Sequence, residues 1–432
     1  MGPIFIEALL MMLLGATDTF MLSRHSDNSV AAAGLDNQIL NLVFLIFQVI
    51  SLATSILCSQ YIGAKRRDKY VQTVGVSLLV NLVSGLVISL CFIFGSSFVL
   101  RMMGARADIF DAGRNYMMIV GGAAVFQAVS FSVSAALRSA DKAYYPMYVS
   151  IVINVLNIIG NYTLIFGKFG FPALGVTGAA ISTAFSRGVA MCINLAILRK
   201  KLIPHFPREY FRPFPWGEVG KLLNIGIPSA GEQFSYSLSQ VVITYFINVL
   251  GNQALATRSY CASIVMFTYL FALSMAQGGA ILIGHLVGMD KVRAAYLVGR
   301  RNLKVSTLAT VALSLMVAVC GHMILPMLTS DPVILKVGYV VLWVDVLVEN
   351  GRAINMFAVD ALRAAGDIYF PVILSTCACW TIAVAGSWFL GIGLAGGLAA
   401  MWFAFALDEN FRGVIFIRRW NSLKWAGKKL VK

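Results

Sequence analysis

Apolar residues run through this chain in blocks of about 17 to 28 positions, each ended by charged residues or by Gly, Pro and Asn. A block of roughly 20 apolar residues is the length that crosses a bilayer as a helix. The pattern predicts twelve such helices, near 3–23, 37–61, 71–99, 113–137, 146–167, 175–198, 221–249, 259–284, 304–328, 335–361, 370–390 and 394–416. An even number places both termini on one side. The longest polar break, 199–220, contains Pro204, Pro207, Pro213 and Pro215, which cannot continue a helix. It divides the chain into an N-terminal six-helix lobe (1–203), a linker loop (204–220) and a C-terminal six-helix lobe with a basic tail (221–432).

The two lobes repeat each other at an offset of 225 residues. Pro3 and Glu7 recur as Pro228 and Glu232, Gly63 as Gly288, and Arg187-Gly188-Val189 as Arg412-Gly413-Val414. Ala136-Leu137-Arg138, followed by Tyr144 and Pro146, recurs as Ala361-Leu362-Arg363, followed by Tyr369 and Pro371. Chance does not place the rarer Glu, Arg, Tyr and Pro in one nearly unshifted series, so the chain is an internal duplication. Repeats with an even number of helices insert in the same direction, which gives parallel halves related by an axis along the bilayer normal. The fold class expected is therefore an all-α polytopic membrane protein with a 6+6 repeat, and two lobes flanking a cleft suit alternating access.

Composition agrees: 59% of the 432 residues are hydrophobic and 12% charged, about half the charge of a soluble domain. The net charge of +15 would suggest nucleic acid in a soluble protein, but the basic residues are sorted by loop. Loops on one predicted side (65–69, 138–142, 199–221, 291–304, Arg363 and the tail from 418) carry 24 of the 34 Lys and Arg, and those on the other carry seven. The basic side is expected to be cytoplasmic, with both termini inside and the chain in the cell membrane. Arg187, Arg352 and Arg412 fall inside predicted helices. The seven cysteines lie in apolar runs and form no CxxC, so they read as small buried hydrophobes. The start lacks a basic n-region and cleavage site, so the first block reads as a retained span.

Four features resemble the multidrug and toxic compound extrusion (MATE) transporters: Asp18-Thr19-Phe20-Met21 with Val30-Ala31-Ala32; Gln60-Tyr61-Ile62-Gly63; Asn157 and Asn161 before Tyr162-Thr163-Leu164-Ile165-Phe166-Gly167; and the repeated Ala-Leu-Arg before Tyr-x-Pro. The match spans essentially the whole chain. The resemblance implies a V-shaped pair of six-helix bundles that exports amphipathic, often cationic small molecules against an inward proton or sodium gradient. The nearest alternative is a lipid-linked precursor flippase of the same superfamily, which should carry a strongly cationic cavity.

An ionisable group inside a span costs about 2.5 to 3.5 kcal/mol at a helix centre on insertion scales, so each is a functional hypothesis. Glu7 and Asp18 are eleven residues apart, about 16 Å along one helix face. Asp18 matches the family's first-helix acid and reads as a protonatable or cation-binding group, or else as a helix-end residue paired with Arg24 or His25. In the fifth helix Asn154, Asn157 and Asn161 share a stripe that can coordinate a cation or glue helices together. The resemblance places polar cavity groups at Asn157 and Asn161. Glu232 stands where the family has a carboxylate tied to coupling, suited to a proton or sodium, and a snorkelling helix-end role competes with that reading. In the tenth helix Asp345, Glu349, Arg352 and Asp360 project within about 80° of one another, with Asn355 flanking. Arg352 stands about where sodium-coupled members have an acid, which favours an internal ion-pair network there.

There is no HExxH, GxSxG or Walker A motif, and the GxGxxG of Gly391 to Gly396 lies between two predicted spans. No enzyme, resident metal or cofactor is expected, only a coupling ion, H+ or Na+. The expected partners are small amphipathic substrates and membrane lipids, not nucleic acid, and the chain is expected to be a monomer. Lys424, Lys428, Lys429 and Lys432, with Trp420 and Trp425, are expected to sit at the anionic inner leaflet.

Overall fold

The structure, a computed structural model, describes residues 1–431. All regular secondary structure among them is helical. Twelve long helices follow in order: α1 (Gly2–Ser23), α2 (Asp27–Gly63), α3 (Arg67–Met102), α4 (Ala107–Ser139), α5 (Tyr144–Phe166), α6 (Gly175–Lys201), α7 (Trp216–Val249), α8 (Asn252–Gly288), α9 (Val292–Leu328), α10 (Pro332–Ala364), α11 (Tyr369–Gly393) and α12 (Gly397–Asn421). Each predicted span lies on one of them.

Several helices outrun the apolar blocks that announced them. α2 has 37 residues, about 55 Å at 1.5 Å per residue, against a hydrocarbon core of about 30 Å. Backbone hydrogen bonds do not need apolar side chains, so α2 begins ten residues earlier and includes Asp27, Asn28 and Asp36, which the hydropathy pattern left outside. For the same reason Arg258 and Arg293 to Arg301, expected in loops, stand inside α8 and α9. Nine of the twelve helices are long and apolar enough to cross a membrane. The other three are α7, polar through Ser, Gln and Glu232, and α10 and α12, which carry buried acids and arginines.

The duplication is written in the backbone. α2 begins at 27 and α8 at 252, α3 at 67 and α9 at 292, α4 at 107 and α10 at 332, α5 at 144 and α11 at 369, each pair 225 apart. Left-handed turn residues repeat as well: Lys65 with Asp290, Asp141 with Gly366, and Gly170 with Ala395. Gly366, at φ +95°, has no room for a Cβ, which would fall 1.9 Å from the Lys428 carbonyl oxygen. The π-helical segments are not repeated: α4 contains one at Met117–Gly121 where α10 runs as regular α-helix, and α11 contains two, at Cys379–Val384 and Ser387–Gly393, that α5 lacks.

The chain divides into two compact units, one built of Ile6–Ile62 and Arg66–Gly226, the other of Met1–Phe5, Gly63–Lys65 and the chain from Ile227 onward. The first eleven residues of α7 and the segment expected as a linker thus pack with the N-terminal unit. Tyr61 donates to Glu218 Oε2 at 2.7 Å, Lys221 donates to Glu218 Oε1 at 3.1 Å, and Gln72 donates to the Tyr210 carbonyl at 2.7 Å. The core of this unit joins Leu40, Phe44 and Phe47 of α2 to Met117, Val120 and Ala124 of α4. In the C-terminal unit one core joins Ile243, Cys261, Val341 and Trp402, and another joins Ile283, Phe357, Phe416 and Trp420.

Two expectations are corrected here. Cys58, Cys261 and Cys379 are buried, but Cys91, Cys192 and Cys377 are exposed on outward helix faces, because an apolar block facing lipid is as apolar as one facing the core. The tail does not present its tryptophans to a membrane: Trp420 and Trp425 stack at 4.4 Å inside the C-terminal core. Lys428 pairs with Asp367 at 2.6 Å and Lys429 with Asp290 at 2.8 Å, so turn acids draw the tail back onto its own unit. Lys432 lies outside the described residues.

Candidate functional site

Three helices of the N-terminal unit bring one carboxylate and three neutral polar side chains together. Asp18, near the end of α1, accepts from Asn161 Nδ2 of α5 at 2.5 Å and from the Thr183 hydroxyl of α6 at 3.5 Å. Asn161 Nδ2 also reaches Asn157 Oδ1 at 3.1 Å, and Asn157 Nδ2 donates to Thr183 at 3.2 Å. Asn157 and Asn161 are four residues apart, so they lie one above the other on α5. Arg187, one turn beyond Thr183 on α6, is within electrostatic reach of Asp18 and stacks over the Phe44 ring at 5.0 Å. Asn161 Oδ1 and Arg187 Nη1 are buried without a hydrogen-bond partner. Asp18 therefore does not use Arg24 or His25, which instead meet Phe20 and Ser29. Asn154, the third member of the stripe, is turned to the Leu10 and Ser150 carbonyls and ties α5 to α1.

Glu7 and Glu232 hold the same contact in the two copies. Arg138 donates to Glu7 at 2.9 Å, and Arg363, its counterpart 225 residues later, pairs with Glu232. Both arginines, expected in loops, are in the last turns of α4 and α10 and fold back onto a carboxylate of α1 or α7. Asp360 adds a second partner to Arg363 at 3.6 Å. Its helix stripe had grouped it with Arg352, eight residues back; because α10 runs on through Arg363, expected in a loop, that arginine is one turn away and takes Asp360 instead.

The remaining acids of α10 form a network with α12. Glu349 pairs with Arg352, as its i,i+3 spacing foretold, and Glu409 lies 4.0 Å from the same guanidinium. Glu409 also accepts from Asn355 at 2.6 Å and pairs with Arg412 at 3.1 Å, while Asp408 holds Arg412 at 2.5 Å. Trp402 donates to Asp345 at 2.9 Å. Four carboxylates thus surround two arginines in a buried setting where ion pairs are kept only with good partners.

Sequence reasoning missed Thr183, Tyr116 and Asp36 in the N-terminal unit and the Asp408–Glu409–Arg412 set in the other. The last had a signal, acids at i−4 and i−3 from an arginine inside a span. The repeat carried another, since Glu7 with Arg138 and Glu232 with Arg363 recur together.

Known proteins agree with this architecture. The MatE family model matches the chain twice, over residues 3–163 and 228–389, the second match starting 225 residues after the first. An uncharacterized transporter of Bacillus subtilis, YisQ, is 38% identical over 99% of this chain and 94% of its own length. A probable multidrug resistance protein NorM of Thermotoga maritima is 25% identical over 98% of this chain and 91% of its own. Among solved structures, the Vibrio cholerae MATE transporter VcmN in its bent form superposes with a TM-score of 0.90 at 19% identity, covering 99% of this chain and 95% of that one. A MOP superfamily transporter of Pyrococcus furiosus gives 0.87 at 19% identity, covering 98% and 94%. At such identities those likenesses speak to the fold alone. The doubled family match and the full-length relatives, on a twelve-helix duplicated frame, establish that the chain belongs to the MatE family of multi-pass membrane transporters.

Proposed function

We propose that the chain is a secondary-active multidrug efflux antiporter of the cell membrane, with both termini cytoplasmic. It exports amphipathic, often cationic small molecules in exchange for protons or sodium by alternating access, with no chemical step on the cargo. The observation that carries this reading is the Asp18 cluster: one carboxylate, inside a span, held by neutral groups of two other helices. When Asp18 takes up a proton or a cation, its pull on the Asn161 amide and on Arg187 is lost, and α1 is released from α5 and α6. Asp18, Asn157, Asn161 and Thr183 offer oxygens suited to a small hard cation, and Asp18 alone suffices for a proton. The same site serves either ion. The Glu7–Arg138 and Glu232–Arg363 pairs are read as ties that hold α1 and α7 in place, and Glu349 and Arg352 as part of an internal network. A flippase for lipid-linked phosphates would need a cluster of unengaged cations, whereas of the three arginines inside spans Arg352 and Arg412 are bound by Glu349, Asp408 and Glu409, which leaves Arg187 alone.

The test is ion replacement in proteoliposomes, with ethidium as the exported cation and a proton or a sodium gradient imposed in turn. One gradient is expected to drive ethidium exchange, and Asp18→Asn, which keeps size and hydrogen bonding, is expected to abolish it. Full exchange by Asp18→Asn would exclude Asp18 as the coupling group.

A further inference from the structure

Asp36, on α2, is fully buried, and neither carboxyl oxygen has a hydrogen-bond partner. It faces the backbone of α4 at Gly113, where a Cβ would stand 3.5 and 3.6 Å from the two oxygens. Its neighbour Asn37 accepts from the hydroxyl of Tyr116, three residues beyond Gly113, at 3.4 Å. That hydroxyl is within electrostatic reach of Asp36, of Asp18 on α1 and of Arg187 on α6. From α3 the Leu100 side chain stands 3.6 Å from the same Cβ position.

The duplication supplies an internal control. At the offset of 225, Asp36, Asn37, Gly113 and Tyr116 correspond to Cys261, Ala262, Gly338 and Val341. In that copy the buried Cys261 thiol donates to the Gly338 carbonyl at 3.7 Å, so the same crossing of helices is built soundly without a carboxyl. The N-terminal copy alone carries the acid, the amide and the phenol, and at this crossing it alone has a π-helical turn, which begins at the residue after Tyr116. Such turns gather at functional sites. Four departures from the repeat therefore meet at one place, one helix away from Asp18.

An ionised carboxylate without a partner cannot be kept dry, whereas a carboxylic acid can. We propose that Asp36 is a second proton site of the N-terminal unit, loaded in this conformation and discharged when α2 and α4 part far enough to admit water. On discharge the O–H bond of Asp36 breaks, the proton passes to water, and the carboxylate left behind is held by the Tyr116 hydroxyl and the Asn37 amide. The proposal rests on the ion-coupled reading above and adds to Asp18 a group that reading does not use.

The experiment compares the parent protein with Asp36→Asn, which keeps the shape but cannot hold a proton, and Asp36→Cys, which restores the residue of the other copy and guards against misfolding. Infrared spectra of the purified protein at neutral pH should show the carbonyl stretch of a buried carboxylic acid in the parent, and both variants should lack it. Gradient-driven ethidium exchange in proteoliposomes should fall about tenfold or more in both, as expected for loss of a positioned proton carrier, with ethidium binding in detergent changed less than about threefold. A band that survives in both variants, or variants that lose the band yet transport like the parent, overturns the proposal. Asp18→Asn runs alongside: if it too transports fully, the ion-coupled reading fails with the proposal; if it is dead while the Asp36 variants are active, the proposal alone fails.

Discussion

The repeated ion pairs make a quantitative test of what holds α1 and α7 in place. Glu232→Gln removes the charge facing Arg363, whose side chain is only 10% exposed. Stranding a buried charge typically costs about 3 to 5 kcal/mol. Arg363 is not stranded, however, because Asp360 stands 3.6 Å away on the same helix face. What is lost is one charge-assisted hydrogen bond, about 2 kcal/mol. Asp360→Asn alone should cost less than about 1 kcal/mol, since Glu232 still holds the guanidinium. Removing both acids leaves Arg363 bare, and the cost should rise to about 4 kcal/mol, more than the sum of the singles. Glu7→Gln tests the logic in the other copy. Arg138 has no second carboxylate in the described ion pairs, so this substitution should cost about 3 kcal/mol despite making the same chemical change. Equilibrium unfolding in mixed micelles reads all four variants. Equal costs for Glu7→Gln and Glu232→Gln, or strict additivity of Glu232→Gln with Asp360→Asn, would show that these contacts do not carry the assigned energies.

Reversing the α10 pair, Glu349→Arg with Arg352→Glu, should recover part of the stability that Glu349→Gln loses, and near-zero coupling in that cycle would mean Arg352 faces water or substrate alone. Gly351→Ala should lower the folded yield, because its Cβ would fall 2.5 Å from the Asn410 backbone nitrogen, where α10 and α12 touch and neither backbone can yield; a parent-like yield and melting curve would refute that contact. Single cysteines at 65 and 201 should be shielded from an impermeant reagent on intact cells while those at 106 and 336 are labelled, and the reverse pattern would invert the topology. Asp331 caps α10 by accepting from the Val333 and Ile334 amides, which hold its carboxyl below the usual carboxylate range. Its contribution is therefore present at neutral pH and lost as pH falls through that lowered value, so Asp331→Asn should flatten the acid limb of the stability profile, and an unchanged limb would refute it.

Twelve helices and their duplication were legible in the sequence because both are recorded locally. A span is a run of apolar residues long enough for the bilayer, and a repeat is a register between two stretches of one string. The Glu349–Arg352 pair was legible for the same reason, since i and i+3 share a face of any helix. Where one helix meets another, the sequence is silent, because contact depends on how each is rotated about its axis and on interaxial distances of about 8 to 10 Å. That rotation joins Asp18 to Asn161 across 143 positions, brings Arg363 to Glu232 across 131, and turns Asn154 to the Leu10 carbonyl while Asn157 and Asn161 reach the Asp18 cluster. It also buried Asp36, which the hydropathy pattern had left outside α2, against the bare backbone of Gly113, a position that only the packed helices could mark as dry.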